Sequence, residues 1–258
     1  MKSTPSLQGK TVVITRAKKQ SKEMKQLIEQ HGGTAIEMPM IDFRLRKEGY
    51  EISSLFDYDW IFFTSVNSVR FFWELLQQHE IPISSLRCRF GAVGEKTKRA
   101  LEKKGVSVDF FPTKFTGEEF GTQFVHSAFT GKRILIPKGQ LASDVLAATL
   151  RKFDYHVDEW IIYETFLPTE SNHLMDPSVL KDVDVITFTS PSTVRHFFQL
   201  LEQQHLLHFV KKWLIACIGP VTASEVKNHG YDVHICPETY TVPDLIKSIN
   251  EWYKMRRN

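Results

Sequence analysis

The stretch FTSPSTV at 188–194 decides the fold, because FTSVNSV at 63–69 writes the same phrase 125 positions earlier. Each reads as the end of a strand, a small polar turn and the start of a helix. The echo widens on both sides. DWIFFTSVNSVRFFWELLQQ (59–78) aligns with DVITFTSPSTVRHFFQLLEQ (184–203) without a gap. At the same offset Gly94 matches Gly219, Thr97 matches Thr222, Gly105 matches Gly230, Val108 matches Val233, Pro112 matches Pro237 and Thr116 matches Thr241. A register held over more than fifty residues marks an internal repeat. A weaker echo pairs KTVVITR (10–16) with KRILIPK (132–138), its offset slipped by three.

Within each copy the order is strand, turn, helix. WIFFT and VITFT are short β-branched and aromatic runs of strand type. In the turns that follow, Ser and Asn can cap a helix, and Pro191 suits a first helical position. Val69, Phe72, Leu75 and Leu76 fall on one helical face, as do Val194, Phe197, Leu200 and Leu201. A second strand in each copy, FGAVG or LIACIG, stops at Gly94 or Gly219, and the next helix ends at a left-handed Gly105 or Gly230. VSVDFFP and YDVHICP read as further strands, each leading into a last helix. Alternating strands and helices with short connections predict two similar α/β domains of doubly wound parallel sheet. Two extended segments at corresponding places, 35–45 and 156–167, are candidates to bridge them.

With 258 residues, 42% hydrophobic and 24% charged, the chain is long enough to bury sizeable cores. A net charge of +3 tolerates an anionic ligand but argues against a nucleic-acid binder, which concentrates basic charge far more strongly. Cys88, Cys217 and Cys236 are scattered, with no C-x-x-C pair, and read as small buried apolar residues rather than as a disulfide framework or metal site. The start MKSTPSLQGK has no apolar region of secretory type, and no apolar run approaches membrane-spanning length. The expectation is a cytoplasmic, monomeric protein without membrane or nucleic-acid partners.

In open α/β sheets ligands bind beyond the carboxyl ends of the strands. Those ends carry Thr15 and Arg16, Thr64, Ser65 and Asn67, Gly94, Lys138 and Gly139, Ser190 and Ser192, and Gly219. Any one Ser or Thr there reads most simply as a helix cap. Recurrence at several strand ends in both copies favours a surface of N–H and O–H donors for an anion. Arg16, Lys138 and Lys96 could add charge-assisted contacts. The dinucleotide fingerprint G-x-G-x-x-G and the nucleophile elbow G-x-S-x-G are absent. GEKTK (94–98) lacks the upstream part of a phosphate-binding loop, and His205 and His208 of HLLH have no evident third ligand.

VVITR, DWIFFTSVNSV, AVGEKT, ILIPKG, IYET, FTSPSTV, CIGPVTA and the final YT, in this order and spacing, resemble uroporphyrinogen-III synthase from about Thr11 to about Leu245. The resemblance implies an enzyme that dehydrates the linear tetrapyrrole hydroxymethylbilane. It closes the ring with inversion of ring D through a spiro intermediate, giving uroporphyrinogen III without a cofactor. It also implies two α/β domains joined by a two-stranded β-ladder, with a cleft between them. Carried over, 1–37 plus 168–258 form one discontinuous domain and 42–164 the other, with crossovers at 38–41 and 165–167. Tyr163 matches the family tyrosine proposed to assist departure of the hydroxyl, and reads equally as an anchor of the ladder. Thr222, and Thr97 through the repeat, match a threonine near the cleft that is as readily structural. After PKG the family often carries a second basic residue, where this chain has Ala142-Ser143-Asp144. Two other readings remain open from the residues alone: a hinge-type binding protein for a small polyanion, and an inactive interaction module.

Overall fold

A computed structural model describes residues 6–256. The chain opens with β1 (Thr11–Ile14), α1 (Lys18–Gln30) and β2 (Thr34–Glu37). It continues through β3 (Asp42–Leu45), β4 (Trp60–Phe63), α2 (Val66–Gln78), β5 (Arg89–Ala92), α3 (Glu95–Glu102), α4 (Gly117–Val125), β6 (Arg133–Gly139), α5 (Val145–Arg151) and β7 (His156–Phe166). The short helices α6 (Ser171–Leu174) and α7 (Pro177–Leu180) lead into β8 (Val185–Phe188), α8 (Pro191–Gln203), β9 (Leu214–Cys217), α9 (Pro220–Asn228) and α10 (Val242–Met255). Two compact units result. Unit 1 holds the described residues up to Asp42 together with those from Phe166 onward, and unit 2 is Phe43–Thr165.

Unit 1 contains a four-stranded sheet in the order β2-β1-β8-β9, all parallel. Unit 2 carries a five-stranded sheet in the order β3-β7-β6-β4-β5. The repeat is visible in these orders, because β9, β8, β1 and β2 correspond to β5, β4, β6 and β7. The weaker echo at the start of the chain is therefore structural: Val12 pairs with Val185 as Ile134 pairs with Trp60. The helix starts keep the offset too. Ser65 and Ser190 cap α2 and α8, accepting from the backbone N–H three residues on, and Thr116 and Thr241 cap α4 and α10.

Alternate residues of each strand face opposite sides, so each sheet buries both faces. In unit 1, Val12, Ile14 and Val185 pack against Met24 and Ile28 of α1 and Leu245 and Ile249 of α10. Val13, Ile186 and Phe188 pack against Phe197 and Leu201 of α8. In unit 2, Trp60, Phe62, Ile134 and Ile136 meet Phe120, Phe124, Leu146 and Leu150, while Ile61, Phe63 and Leu135 meet Phe72, Leu75 and Leu101. No helix among the described residues is long and apolar enough to cross a membrane.

Two sequence expectations need correction. VSVDFFP and YDVHICP do not form strands; each contributes one bridge, Gly91 with Phe110 and Ala216 with Ile235. The reason is the same in both copies. The Phe90 N–H is taken by the Asp109 carboxylate (2.9 Å) and the Ile215 N–H by Nδ1 of His234 (3.1 Å), so a side chain replaces a ladder rung. The extended segment 35–45, by contrast, runs from β2 in one sheet to β3 in the other, so the chain passes between the units there as expected. Finally, Cys217 is buried and Cys88 half-buried, but Cys236 is exposed, one position beyond the single bridge at Ile235. Burial pushes the Cys88 and Cys217 thiols up to about 12, which leaves them unreactive at neutral pH.

The two sheets differ at one packing position that the repeat makes comparable. Gly91 corresponds to Ala216, and a Cβ on Gly91 would stand 2.7 Å from the Phe62 ring and 2.8 Å from Phe120. Gly91→Ala should therefore destabilise unit 2 by about 1–3 kcal/mol through overpacking. Segment-resolved hydrogen exchange in urea should show the loss in β4, β5 and α4, with unit 1 unaffected.

Candidate active site at the carboxyl ends of the strands

In unit 2 the residues that follow β4, β5 and β6 meet Tyr163 of β7 around a cavity of about 350 Å³. Thr64, Ser65, Ser143 and Tyr163 supply its polar atoms, and Val93, Phe115, Val145 and Leu146 supply apolar wall. This volume lies near the lower end of the range of about 300–1,000 Å³ for ligand sites, enough for part of a large ligand. A larger hollow of about 480 Å³ runs along α2 beside Arg70, Trp73, Glu74 and Lys104, away from the strand ends.

Tyr163 is the most constrained polar group of the cavity. Its ring stacks on Phe71 of α2 at 4.8 Å, meets Phe43 edge-on at 6.0 Å, and is only 8% exposed. Its hydroxyl lies 3.4 Å from Oγ of Ser65. Burial raises the phenol pKa above the ordinary tyrosine value, opposed by the Ser65 contact and the charge of Arg70. The group, like any tyrosine, is protonated through the neutral range, and burial extends that range upward, so its O–H can donate. Gly139 makes this placement possible, since a Cβ there would lie 2.5 Å from two ring carbons of Tyr163 and 2.8 Å from its hydroxyl. A glycine first noted as a strand-end amide is thus also required by close packing.

Lys138 stands beside it but faces another task. Only 4% exposed, it donates to Glu159 (2.8 Å) and to the Ser143 carbonyl (3.2 Å), and it pairs with Asp144. Burial lowers its pKa, and the two carboxylates together raise it by more, so the net direction is upward. Its charge is matched within the protein, and its contacts tie the segment 143–144 of the cavity wall to β6. Ser143, which stands where a second basic residue was looked for, also lines the cavity.

The equivalent cation in unit 1 is Arg16, which follows β1 as Lys138 ends β6. Nε and Nη1 of Arg16 are buried and make no hydrogen bond, two of the four such side-chain atoms among the described residues. Burial pulls its pKa down, opposed by Glu23, yet a guanidinium remains a cation at neutral pH. Glu37, the counterpart of Glu159, is held by Ser21 and Lys25 instead. Buried guanidinium N–H groups without partners are costly, and a carboxylate ligand would satisfy them.

The remaining candidates divide by what their side chains do. Thr15 is buried and its hydroxyl donates to the Thr187 carbonyl at 2.7 Å, so it laces β1 to β8. Thr97 and Thr222 are each 4% exposed in the first turns of α3 and α9. Ser190 caps α8 and lies 3.0 Å from the Ser192 hydroxyl. Asn67 is half-buried in the first turn of α2 and Lys96 exposed in that of α3. Gly94 and Gly219 head α3 and α9 without any side-chain cap, which leaves backbone N–H groups of those turns for a ligand. Gly94 is open, whereas a Cβ on Gly219 would come 3.1 Å from the Tyr240 ring. The structure thus gathers Thr64, Ser65 and Tyr163 in one cavity, with Gly139 beneath the tyrosine ring.

Sequence reasoning missed Phe115 and Tyr240, which stand beside these strand ends. A usable signal was present, since an aromatic precedes the capping threonine in both copies, as FT at 115–116 and YT at 240–241. For the packing of Gly139 we expect Gly139→Ala to cost about 1–3 kcal/mol and to displace the Tyr163 ring. Near-ultraviolet circular dichroism and urea unfolding check both.

A model of the family described as "Uroporphyrinogen-III synthase HemD" matches residues 22–247. The chain is 31% identical over 249 residues to the uroporphyrinogen-III synthase of Chlorobaculum parvum, covering 95% of this chain and 100% of that protein. It is 26% identical over 256 residues to that of Synechococcus elongatus, covering 95% and 96%. Among solved structures, uroporphyrinogen-III synthetase from Helicobacter pylori matches with a TM-score of 0.64 at 16% identity, over 94% of this chain and 99% of that one. A mutant uroporphyrinogen III synthase from Thermus thermophilus matches with a TM-score of 0.61 at 16% identity, over 96% and 99%, so the fold is shared. The family match along most of the chain, and a relative above 30% identity over its full length, place the protein in the uroporphyrinogen-III synthase family of tetrapyrrole biosynthesis.

Proposed function

We propose that this protein converts hydroxymethylbilane to uroporphyrinogen III, and that Tyr163 supplies the hydrogen-bond or proton donor that starts the reaction. The observation that carries this reading is a buried, protonated phenol lining a strand-end cavity in a chain of this family. The hydroxyl of ring A leaves as water, its C–O bond breaking with a proton taken from the donor while the pyrrole electrons form an azafulvene. The substituted carbon of ring D then attacks, and the resulting spiro intermediate fragments and recloses with ring D inverted. The ring-D carbon that forms the final bond loses its proton as aromaticity is recovered, which restores the donor, so atoms balance as substrate giving product plus water and no electron acceptor or external nucleophile is called for.

Isomer choice is then a matter of orientation, and holding reacting atoms in place can remove a large part of a barrier. The substrate has eight carboxylates. Arg16, the uncapped first turns behind Gly94 and Gly219, and the hydroxyls of Thr64, Ser65, Ser190 and Ser192 are the donors we assign to them. Lys138 we assign to positioning the cavity wall, because its charge is already matched by Glu159 and Asp144.

Purified protein given freshly made hydroxymethylbilane should release isomer III, resolved from isomer I after oxidation. Isomer I alone, at the spontaneous rate, would remove the proposal. Tyr163→Phe should lower kcat by about a hundredfold while isomer III remains the enzymatic product. Because the folded protein raises the phenol pKa, its proton is kept as pH rises, and the loss of activity from its ionisation should fall above about pH 10. Arg16→Met should raise KM about ten- to a hundredfold, the worth of a charge-assisted bond. The same change should leave the unfolding midpoint unchanged or raise it, since it removes two buried nitrogens that make no hydrogen bond within the protein.

A further inference from the structure

Exposed apolar side chains are not spread evenly over this molecule. Of the ten large apolar residues most exposed among those described, Val66, Phe115, Leu141, Val145, Val221 and Tyr240 all follow strand ends or sit at the helix starts beside them. Single exposed apolar residues are ordinary, but their concentration at the carboxyl edge of each sheet marks a binding surface in each unit. Phe115 and Tyr240 are the aromatic members of the two groups, at 57% and 59% exposed, and they occupy the same position of the repeat.

Both rings are held in place from behind. Each residue directly precedes a capping threonine, whose side chain accepts from the N–H of Glu119 (3.2 Å) or Asp244 (3.3 Å), so the backbone at the ring is fixed by the helix start. Phe115 packs on Phe111 at 5.3 Å and lines the same cavity as Tyr163. Tyr240 lies over Gly219, close enough that a Cβ there would approach its Cγ to 3.1 Å. A flat aromatic surface thus stands beside each uncapped strand end.

From this placement we infer that Phe115 and Tyr240 are platforms on which two pyrrole rings of the substrate pack, an inference that rests on reading the strand ends as the tetrapyrrole site. Donor groups account for the carboxylates at the edges of the substrate but leave its ring faces without partners. Pyrrole faces are flat, apolar and rich in π electrons, and offset stacking on an aromatic side chain suits them. Phe115 takes the ring that ionises, because it shares its cavity with Tyr163. Positive charge developing on that ring as water leaves is attracted by the face of Phe115, so this contact strengthens in the transition state. Tyr240 takes a second ring and limits the ways in which the chain can fold back.

The test uses the full chain and freshly made hydroxymethylbilane, with Phe115→Leu, Phe115→Tyr, Tyr240→Leu and Tyr240→Phe compared with the parent protein. Phe115→Leu should lower kcat, and Tyr240→Leu should mainly raise KM, each by about three- to tenfold. In both, isomer I should increase as spontaneous closure competes. The aromatic replacements should restore most of each loss, which a merely apolar role would not require. Unfolding midpoints should stay within a degree or two of the parent, roughly as expected for surface substitutions. Leucine variants matching the parent in kcat and KM within about twofold, beside a parent that makes isomer III, would overturn the platforms alone. A parent that yields only isomer I would overturn the site reading and the platforms together.

Discussion

Unit 1 exists because β1 is held beside β8. Two hydroxyls lace the pair reciprocally: Thr15 donates to the Thr187 carbonyl and Thr187 to the Val13 carbonyl, both at 2.7 Å. At the other end Asp184 accepts from the Thr11 N–H and pairs with Lys10 at 2.6 Å. These contacts join segments more than 170 residues apart, so the chain must leave unit 1 after β2, build unit 2, and return. Loop-closure entropy grows only slowly with length, about 0.6 kcal/mol per doubling, so an inserted unit of this size adds little to the cost. The same pairing sets Arg16 just past the end of β1, beside the residues that follow β8.

Seen from the strand ends, the two units are variations on one arrangement. Each places a capping serine, an uncapped glycine turn and an exposed aromatic around the carboxyl edge of a parallel sheet. They differ in the cation. Lys138 is neutralised by Glu159 and Asp144 and stabilises the wall of its cavity. Arg16 has its two buried nitrogens without protein partners. One position of the repeat thus serves an ion pair in unit 2, whereas in unit 1 it holds a cation with two nitrogens unpartnered. The buried phenol of Tyr163 belongs to unit 2, where its ring closely approaches Gly139, whereas the phenol of Tyr240 in unit 1 is exposed.

Much of this was legible from residues alone, for reasons of range. The capping of α2 and α8 by Ser65 and Ser190, and the left-handed turns at Gly105 and Gly230, involve neighbours within a few positions. The buried faces of α2 and α8 follow from helical spacing. The expected strands 106–112 and 231–237 failed because local β character cannot reveal that Asp109 and His234 take the N–H of a rung. Cys236 was misread for a related cause, since which side of a lone bridge faces out is set by its partner.

By itself the sequence determined the repeat and the parallel α/β character of both copies, and with them which residues stand at the strand ends. These follow from periodicity, capping and turn residues, which act over a few bonds and read the same in any context. Only the tertiary structure decided which candidates have side chains left for a ligand. Thr15 became a lace, Lys138 a buried ion pair and Gly139 the space for a ring, whereas Arg16 kept its N–H groups unpaired. Burial and the pairing of charges depend on what distant segments bring alongside, and no local pattern carries that information.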